Sequence, residues 1–301
     1  MKGIDISKHN GTIDWAKVDA SGIDFVLIQA GYGNDLSQKD PKFDENVQGA
    51  LAHKLHVGAY WFSYAISAED AKKEAEVCKQ VVAPYKGKLA FPVAFDYEYE
   101  SITYALKQGV TTTNALIDAI ARAFMDSMKA SGWYVNLYTN IDFIKSGKFS
   151  TSTINAYDVW LADYSGSPDY PCGIQQTGST GEIPGISGKV DMDVAYKAYP
   201  TIIQSGGYNG YSKPQNTVVK IDTTVDITFA HGAYYTVKTT SPQQAFVTAG
   251  TGSVVTVVPL PRTGNDQLFA LVAIGQPGQQ TGIFTAAGSE RPMKRFVFKI
   301  K

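Results

Sequence analysis

The chain predicts an α/β fold: an irregular (β/α) TIM-like barrel lacking some of its outer helices, followed by a small all-β domain. Three observations predict it. Eight short apolar runs follow one another over residues 1–203, and helix-period patterns separate the first five. The gaps after the sixth and seventh runs hold Gly, Pro, Ser and Thr and are too short for a crossover helix. Beyond a turn-rich stretch the pattern changes to short β-branched or aromatic runs divided by Gly, Pro, Asn and Ser. The expected division is therefore a barrel over 1–203, a linker over 204–216 and an all-β domain over 217–301.

Residues 3–7 read as a first strand that places Asp5 near its far end, and Ile13-Asp14-Trp15 opens a short helix that stops at Gly22. Residues 25–33 form a second strand running into a glycine turn. A helix over 41–54 carries Phe43, Val47, Ala50 and Leu51 on one side. The third strand, 57–64, is rich in aromatics, and Ser67 with Asp70 caps a helix over 68–83 that Pro84 stops. The fourth strand is the most telling. Residues 89–95 are almost wholly apolar, as in a strand buried on both faces, and they run into Asp96, Glu98 and Glu100. On a strand these acids share one face, where they repel each other and resist burial. Leu116, Ile120, Phe124 and Met128 then mark a helix closed by Gly132, and strands at 134–138, 159–164, 173–176 and 190–194 complete the eight.

The net charge of −1 hides an asymmetry. Residues 1–204 carry 18 Lys+Arg against 24 Asp+Glu, whereas residues 205–301 carry 9 against 4, a net of +5. Opposite signs suggest two domains with different tasks. Cys78 and Cys172, like the four histidines, show no metal-ligand spacing, so no metal or cofactor is expected. The N-terminus has no apolar signal region, and no stretch approaches the roughly 18 apolar residues of a membrane span. The expectation is a chain made in a cytoplasm, or the mature form of a secreted one, with neither a membrane nor a nucleic-acid partner.

Active sites of such barrels lie at the C-terminal ends of the strands. That rule gathers Asp5, Tyr60, Tyr64, Asp96, Glu98, Tyr138, Trp160, Asp163, Gln175 and Asp191 into one mouth. Carboxylates among aromatic platforms suit glycoside hydrolysis, where one acid stays protonated to serve the leaving oxygen and negative charge stabilises an oxocarbenium-like transition state. Crowded acids supply the required difference in pKa because neighbours cannot all ionise freely. Glu100 is expected to lie past the mouth.

Asp5-Ile-Ser7 with Ile13-Asp14-Trp15, Gln29-Ala-Gly-Tyr-Gly33, Gly58-Ala-Tyr60, Asp96-Tyr-Glu98, Trp160-Leu-Ala-Asp-Tyr164 and Val190-Asp191-Met-Asp-Val-Ala follow one another in the order of the landmarks of family 25 glycoside hydrolases. The first 200 residues or so resemble that family of bacterial and phage lysozymes (N-acetylmuramidases). The resemblance implies cleavage of the β-1,4 bond between N-acetylmuramic acid and N-acetylglucosamine in peptidoglycan, by a phage endolysin or a bacterial lysozyme. It implies Glu98 as the catalytic acid/base and Asp96 as the group that stabilises the transition state or orients the substrate's 2-acetamido group. Asp5 and Asp191 complete the acidic floor, and Tyr60, Tyr138, Trp160 and Gln175 are the candidate sugar contacts. Net retention is likewise implied, with a direct nucleophile and a substrate-assisted route both open. Gln29 stands where many members carry Arg, and Asp193 where Asn is common, which leaves Asp193 as an alternative to Asp191.

The all-β domain is expected to bind the cell wall, its positive charge suiting an anionic wall polymer. Two other readings stand beside the muramidase. A chitinase-like glycosidase would need acids at Phe91 and Ala94 as well as at Asp96 and Glu98, and lacks them. A non-catalytic glycan-binding protein would not need the intact acid set.

Overall fold

The structure is a computed structural model that describes residues 1–212, 219–288 and 291–301. It divides into two compact units, Met1–Lys213 and Pro214–Lys301. The first is a closed eight-stranded barrel in the order β1 (Lys2–Ile6), β2 (Phe25–Tyr32), β3 (His56–Phe62), β4 (Val93–Asp96), β5 (Val135–Asn140), β6 (Asp158–Ala162), β7 (Ile174–Gly181) and β8 (Val190–Ala195). Strands β1 to β7 run parallel. Strand β8 runs antiparallel to both β7 and β1 and closes the circle.

Helices cover only part of the outside, as expected. These are α1 (Trp15–Ala20), α2 (Phe43–Ala52), α3 (Ala68–Val82), α4 (Tyr99–Lys107), α5 (Asn114–Ala130), α6 (Ile141–Lys145), α7 (Thr151–Ala156) and α8 (Tyr199–Gly206). Their starts follow local chemistry. The side chains of Asp14, Ser67, Thr113 and Asn140 accept backbone N–H groups that each first turn leaves free. Among the described residues no helix joins β6 to β7 or β7 to β8, and none is long and apolar enough to cross a membrane.

Alternation along the strands sorts two apolar layers. Ile4, Val26, Ile28, Val57, Phe95, Leu137 and Leu161 point outward and pack with the helices. Phe25, Leu27, Phe91, Ala94, Tyr138, Trp160, Ile174 and Tyr199 fill the barrel itself. Close approach demands glycine here: a Cβ on Gly3 would lie 2.2 Å from the Phe25 ring.

Two boundaries differ from expectation. Strand β4 ends at Asp96, and the chain turns into α4, which sequence reading misses because the acids alternate as they would on a continuing strand. The expected linker 204–216 lies partly outside the described residues, and its first part belongs to the barrel unit. Helix α8 runs to Gly206, and the buried Asn209 side chain donates to the carbonyls of Leu89 and Phe91 while accepting the Tyr134 N–H. It thereby ties the chain to the far ends of β4 and β5.

The second unit holds two four-stranded sheets. One has the order β10 (Ile227–Phe229), β16 (Met293–Ile300), β15 (Gln280–Ala287), β12 (Ala245–Ala249). The other has the order β13 (Val255–Thr263), β14 (Asp266–Ala273), β11 (Tyr234–Thr240), β9 (Lys220–Ile221). Val237, Val255, Phe269 and Leu271 of one sheet share a core with Val247, Ile283, Phe296 and Phe298 of the other, so the unit is a sandwich. Strand β15 escapes the sequence pattern, since its glycine and alanines weaken the β signal.

Candidate active site

The barrel mouth opens into a cavity of about 470 Å³ walled by Asp5, Asp96, Glu98, Glu100 and Asp191 together with Tyr32, Tyr60, Phe62, Tyr64, Tyr138, Trp160 and Gln176. Lys8 and His9, on the turn after β1, stand among its lining residues. Asp5 lies near the end of β1, and Asp96 ends β4. Glu98 occupies the N-cap of α4, where its backbone N–H donates to Ser101 Oγ at 3.1 Å. Glu100 follows in the first helical turn and accepts the Tyr64 hydroxyl at 3.2 Å, so it borders the mouth rather than lying beyond it.

Asp191 reaches the same space from the opposite strand direction. Because β8 is antiparallel, its early residues sit at the mouth, and Asp191 pairs directly with Asp5 across the β1–β8 ladder. Asp193, two residues on, lies beneath the cavity, 2% exposed.

Burial raises the pKa of all four acids, and for Asp5, Asp96 and Glu98 a neighbouring carboxylate adds to it. Burial and then Asp191 lift Asp5 from 3.8 to about 7. Burial, followed by Glu98 and Asp5, holds Asp96 well above the carboxylate range. Glu98 is raised by burial, Glu100 and Asp191, and Asp191 by burial. The groups that act most strongly on these acids include no lysine or arginine. One Asp96 oxygen, Oδ1, is buried without a hydrogen-bond partner among the described residues. The arrangement can thus keep a carboxyl protonated near neutral pH beside others that ionise.

The polar centre of the site is Gln176. Its Nε2 donates to Asp5 at 2.8 Å and to Asp191 at 3.2 Å, and its Oε1 accepts the hydroxyls of Tyr138 at 3.0 Å and Tyr164 at 2.8 Å. Sequence reading names Gln175 instead, and the structure corrects it. Gln175 points away from the cavity: its Nε2 donates to the carbonyls of Asp163 and Gly166, and its Oε1 accepts the Tyr196 hydroxyl. The cause is strand parity. Ile174 packs inside the barrel, so Gln176 shares its face and Gln175 does not.

Tyr60, Tyr138 and Trp160 do come together. Trp160 meets Tyr60 and Tyr138 edge-on, with centroids 5.9 and 4.6 Å apart, and its indole N–H donates to Asp193 at 2.8 Å. Asp163 is not part of the wall. Its carboxylate accepts from Ser165 and Asp169 and folds its own loop. Among the described residues no group of three or more His, Cys, Asp or Glu is arranged to hold a metal ion.

Comparison with known proteins decides the family. The profile of the glycosyl hydrolases family 25 matches residues 4–185. The chain belongs to glycosyl hydrolase family 25. Over 200 residues it is 30% identical to the autolytic lysozyme of Clostridium acetobutylicum, a match that covers 64% of this chain and 55% of that protein. It is 25% identical over 203 residues to lysozyme M1 of Streptomyces globisporus, covering 64% of this chain and 67% of the relative. The modular autolysin LytC of Streptococcus pneumoniae, solved in complex with a synthetic peptidoglycan ligand, superimposes with a TM-score of 0.56 at 25% identity, covering 65% of this family 25 chain and 46% of LytC. A bacterial lysozyme from Streptomyces coelicolor shares the fold at 22% identity, with a TM-score of 0.54 over 65% of this chain and 92% of its own. The chain thus spans about half the length of the Clostridium and pneumococcal proteins.

Proposed function

We propose that this family 25 chain is a peptidoglycan N-acetylmuramidase, cleaving the β-1,4 bond between N-acetylmuramic acid and N-acetylglucosamine. The observation that carries the reading is the convergence of Asp96, Glu98, Asp5 and Asp191 on one aromatic-walled cavity. Glu98 is the acid/base. Burial and its neighbours favour its protonated form, so it delivers a proton to the glycosidic oxygen and then takes one from the attacking water. Asp96, with its unpartnered buried oxygen, orients the substrate's 2-acetamido group for attack on the anomeric carbon, which gives net retention. Asp5 and Asp191, tethered by Gln176, supply negative charge to the oxocarbenium-like transition state. Tyr60, Tyr138 and Trp160 form the apolar wall against which sugar rings stack.

The β sandwich holds the enzyme on the wall through anionic polymers, a reading supported by the +5 charge of residues 205–301. The place of action is the cell wall, reached by an endolysin or by a mature lysozyme; a neighbouring holin gene identifies the former.

Mass spectrometry of digested peptidoglycan tests the activity. Reducing N-acetylmuramic acid ends are expected. Reducing glucosamine ends, release from chitin instead of peptidoglycan, or wall binding without hydrolysis would each replace the proposal. Removing residues 214–301 should leave hydrolysis of soluble fragments intact and reduce co-sedimentation with whole walls. Equal sedimentation of both forms would remove the wall-binding role.

A further inference from the structure

Asp193 is a buried acid that the proposed chemistry does not use. It stands on β8 directly across from Gly3 on β1 and from Gln176 on β7, at a point where Gly3 contributes no side chain. Its Oδ1 accepts the Trp160 indole N–H at 2.8 Å. Its Oδ2 is buried and has no donor among the described residues. Asp5 stands diagonally across the same β1–β8 ladder, two residues along and on the same face, and is the carboxyl that bears most on Asp193. Two carboxyl groups bond to each other only when a proton lies between them.

The surroundings say which of the two holds that proton. Asp5 faces Asp193 from β1 and Asp191 from its own β8, while Asp96 from β4, Glu98 from α4, and the hydroxyls of Tyr60 and Tyr138 from β3 and β5 border the space above. Strand β6 offers the Trp160 N–H, β7 the Gln176 amide and β2 Gln29. The groups that act most strongly on Asp193 include no lysine or arginine. Each acid accepts one N–H, Asp5 from Gln176 and Asp193 from Trp160; what separates them is that Asp5 borders the cavity, whereas Asp193 is sealed beneath it with Oδ2 lacking any donor among the described residues.

We infer that Asp193 is a positioning residue that works as a carboxylic acid: Oδ1 holds the Trp160 ring against Tyr60 and Tyr138, and the Oδ2 hydroxyl donates to Asp5. The first bond fixes part of the sugar-facing wall. The second favours the ionised form of Asp5 against its burial and directs it at the mouth, because losing a donor raises an acid's pKa. Burial and the neighbouring acids, which push Asp193 well above the carboxylate range, agree with this geometry. The hydrolytic part of the test rests on the muramidase reading. The spectroscopic part does not, so the two can fail separately.

Asp193→Asn and Asp193→Leu, made in the full chain, test the inference. Asparagine reproduces both bonds, its Oδ1 accepting from Trp160 and its Nδ2–H donating to Asp5, so the acid limb of the pH–activity profile on peptidoglycan should stay in place. Leucine has neither group. Its acid limb should move to higher pH by about one unit, about a tenfold loss on that limb. An Asp193→Asn variant that loses about a hundredfold or more would make Asp193 a proton-transferring group and overturn the inference; so would an Asp193→Leu variant with the wild-type profile. Infrared difference spectra of wild type against Asp193→Asn at pH 7 read the protonation directly, whether or not the leucine variant folds and whatever the substrate. A protonated-carboxyl C=O band lost in the variant supports the inference, and its absence from the wild type refutes it.

Discussion

Replacing Asp5 with asparagine should stabilise the barrel at alkaline pH while it costs activity. Burial and Asp191 raise the Asp5 pKa from 3.8 to about 7. Between these values the folded chain holds a proton that the unfolded chain releases, so stability falls as pH rises through that window. At about 1.4 kcal/mol per unit, a shift of roughly three units amounts to about 4 kcal/mol by pH 8. The asparagine side chain carries no charge and avoids this cost. Against that, the Gln176 N–H loses an ionised acceptor and keeps a neutral one, a difference of about 1 kcal/mol. Titration of Asp191 together with Asp5 spreads part of the remainder over the pair, leaving about 2 kcal/mol.

The gain should be present at pH 8 and absent near pH 3, below both values, where Asp5 is largely protonated in both states. Urea unfolding followed by tryptophan fluorescence measures it, because Trp15, Trp61, Trp133 and Trp160 all lie in the barrel unit and the sandwich has none. With a urea dependence near 2 kcal/mol/M, the midpoint at pH 8 should rise by about 1 M. A shift of equal size at pH 3 and pH 8, or a lower midpoint at pH 8, would show that ionised Asp5 is not held against its own burial.

Three further outcomes follow from the same geometry. Glu98→Gln should lower kcat on peptidoglycan by about 10²–10⁴ and leave co-sedimentation with walls unchanged; retained lysis would remove Glu98 as the acid/base. Gln176→Met takes the N–H donors from Asp5 and Asp191, so its acid limb should move to higher pH, whereas Gln175→Met should loosen the 163–169 loop and leave the limb in place; pH–rate profiles of the two separate them. Glu74, buried behind the wall, takes the Ser63 hydroxyl and the Tyr64 N–H, and burial lifts its pKa to about 8. Thermal melts at pH 6 should therefore place Glu74→Gln close to the wild type and show Glu74→Leu destabilised by about 1–3 kcal/mol.

The barrel, its missing helices and the acid cluster are legible in the sequence because they rest on periodicity and on residue types that burial penalises. Gln176 is not, although parity could have found it. Trp160 pairs with Ile174 in the parallel β6–β7 ladder, partners in a ladder share a face, and the next inward residue after Ile174 is Gln176. The turn at Asp96 is hidden because Asp96, Glu98 and Glu100 alternate as a strand would. The competing signal is Ser101 three residues after Glu98, a capping pair that starts α4.

The choice between Asp191 and Asp193 turns on strand direction. Both face inward whichever way β8 runs, since parity ignores direction, but depth does not. On a parallel strand the later residue lies nearer the mouth, which would expose Asp193 and bury Asp191. On an antiparallel strand the order reverses. The gap between β7 and β8, residues 182–189, excludes a crossover helix, and a parallel pairing needs a crossover, so only a hairpin remains. The short gap that marks the barrel as irregular therefore also puts Asp191 at the cavity beside Asp5 and sends Asp193 beneath it, against the indole of Trp160.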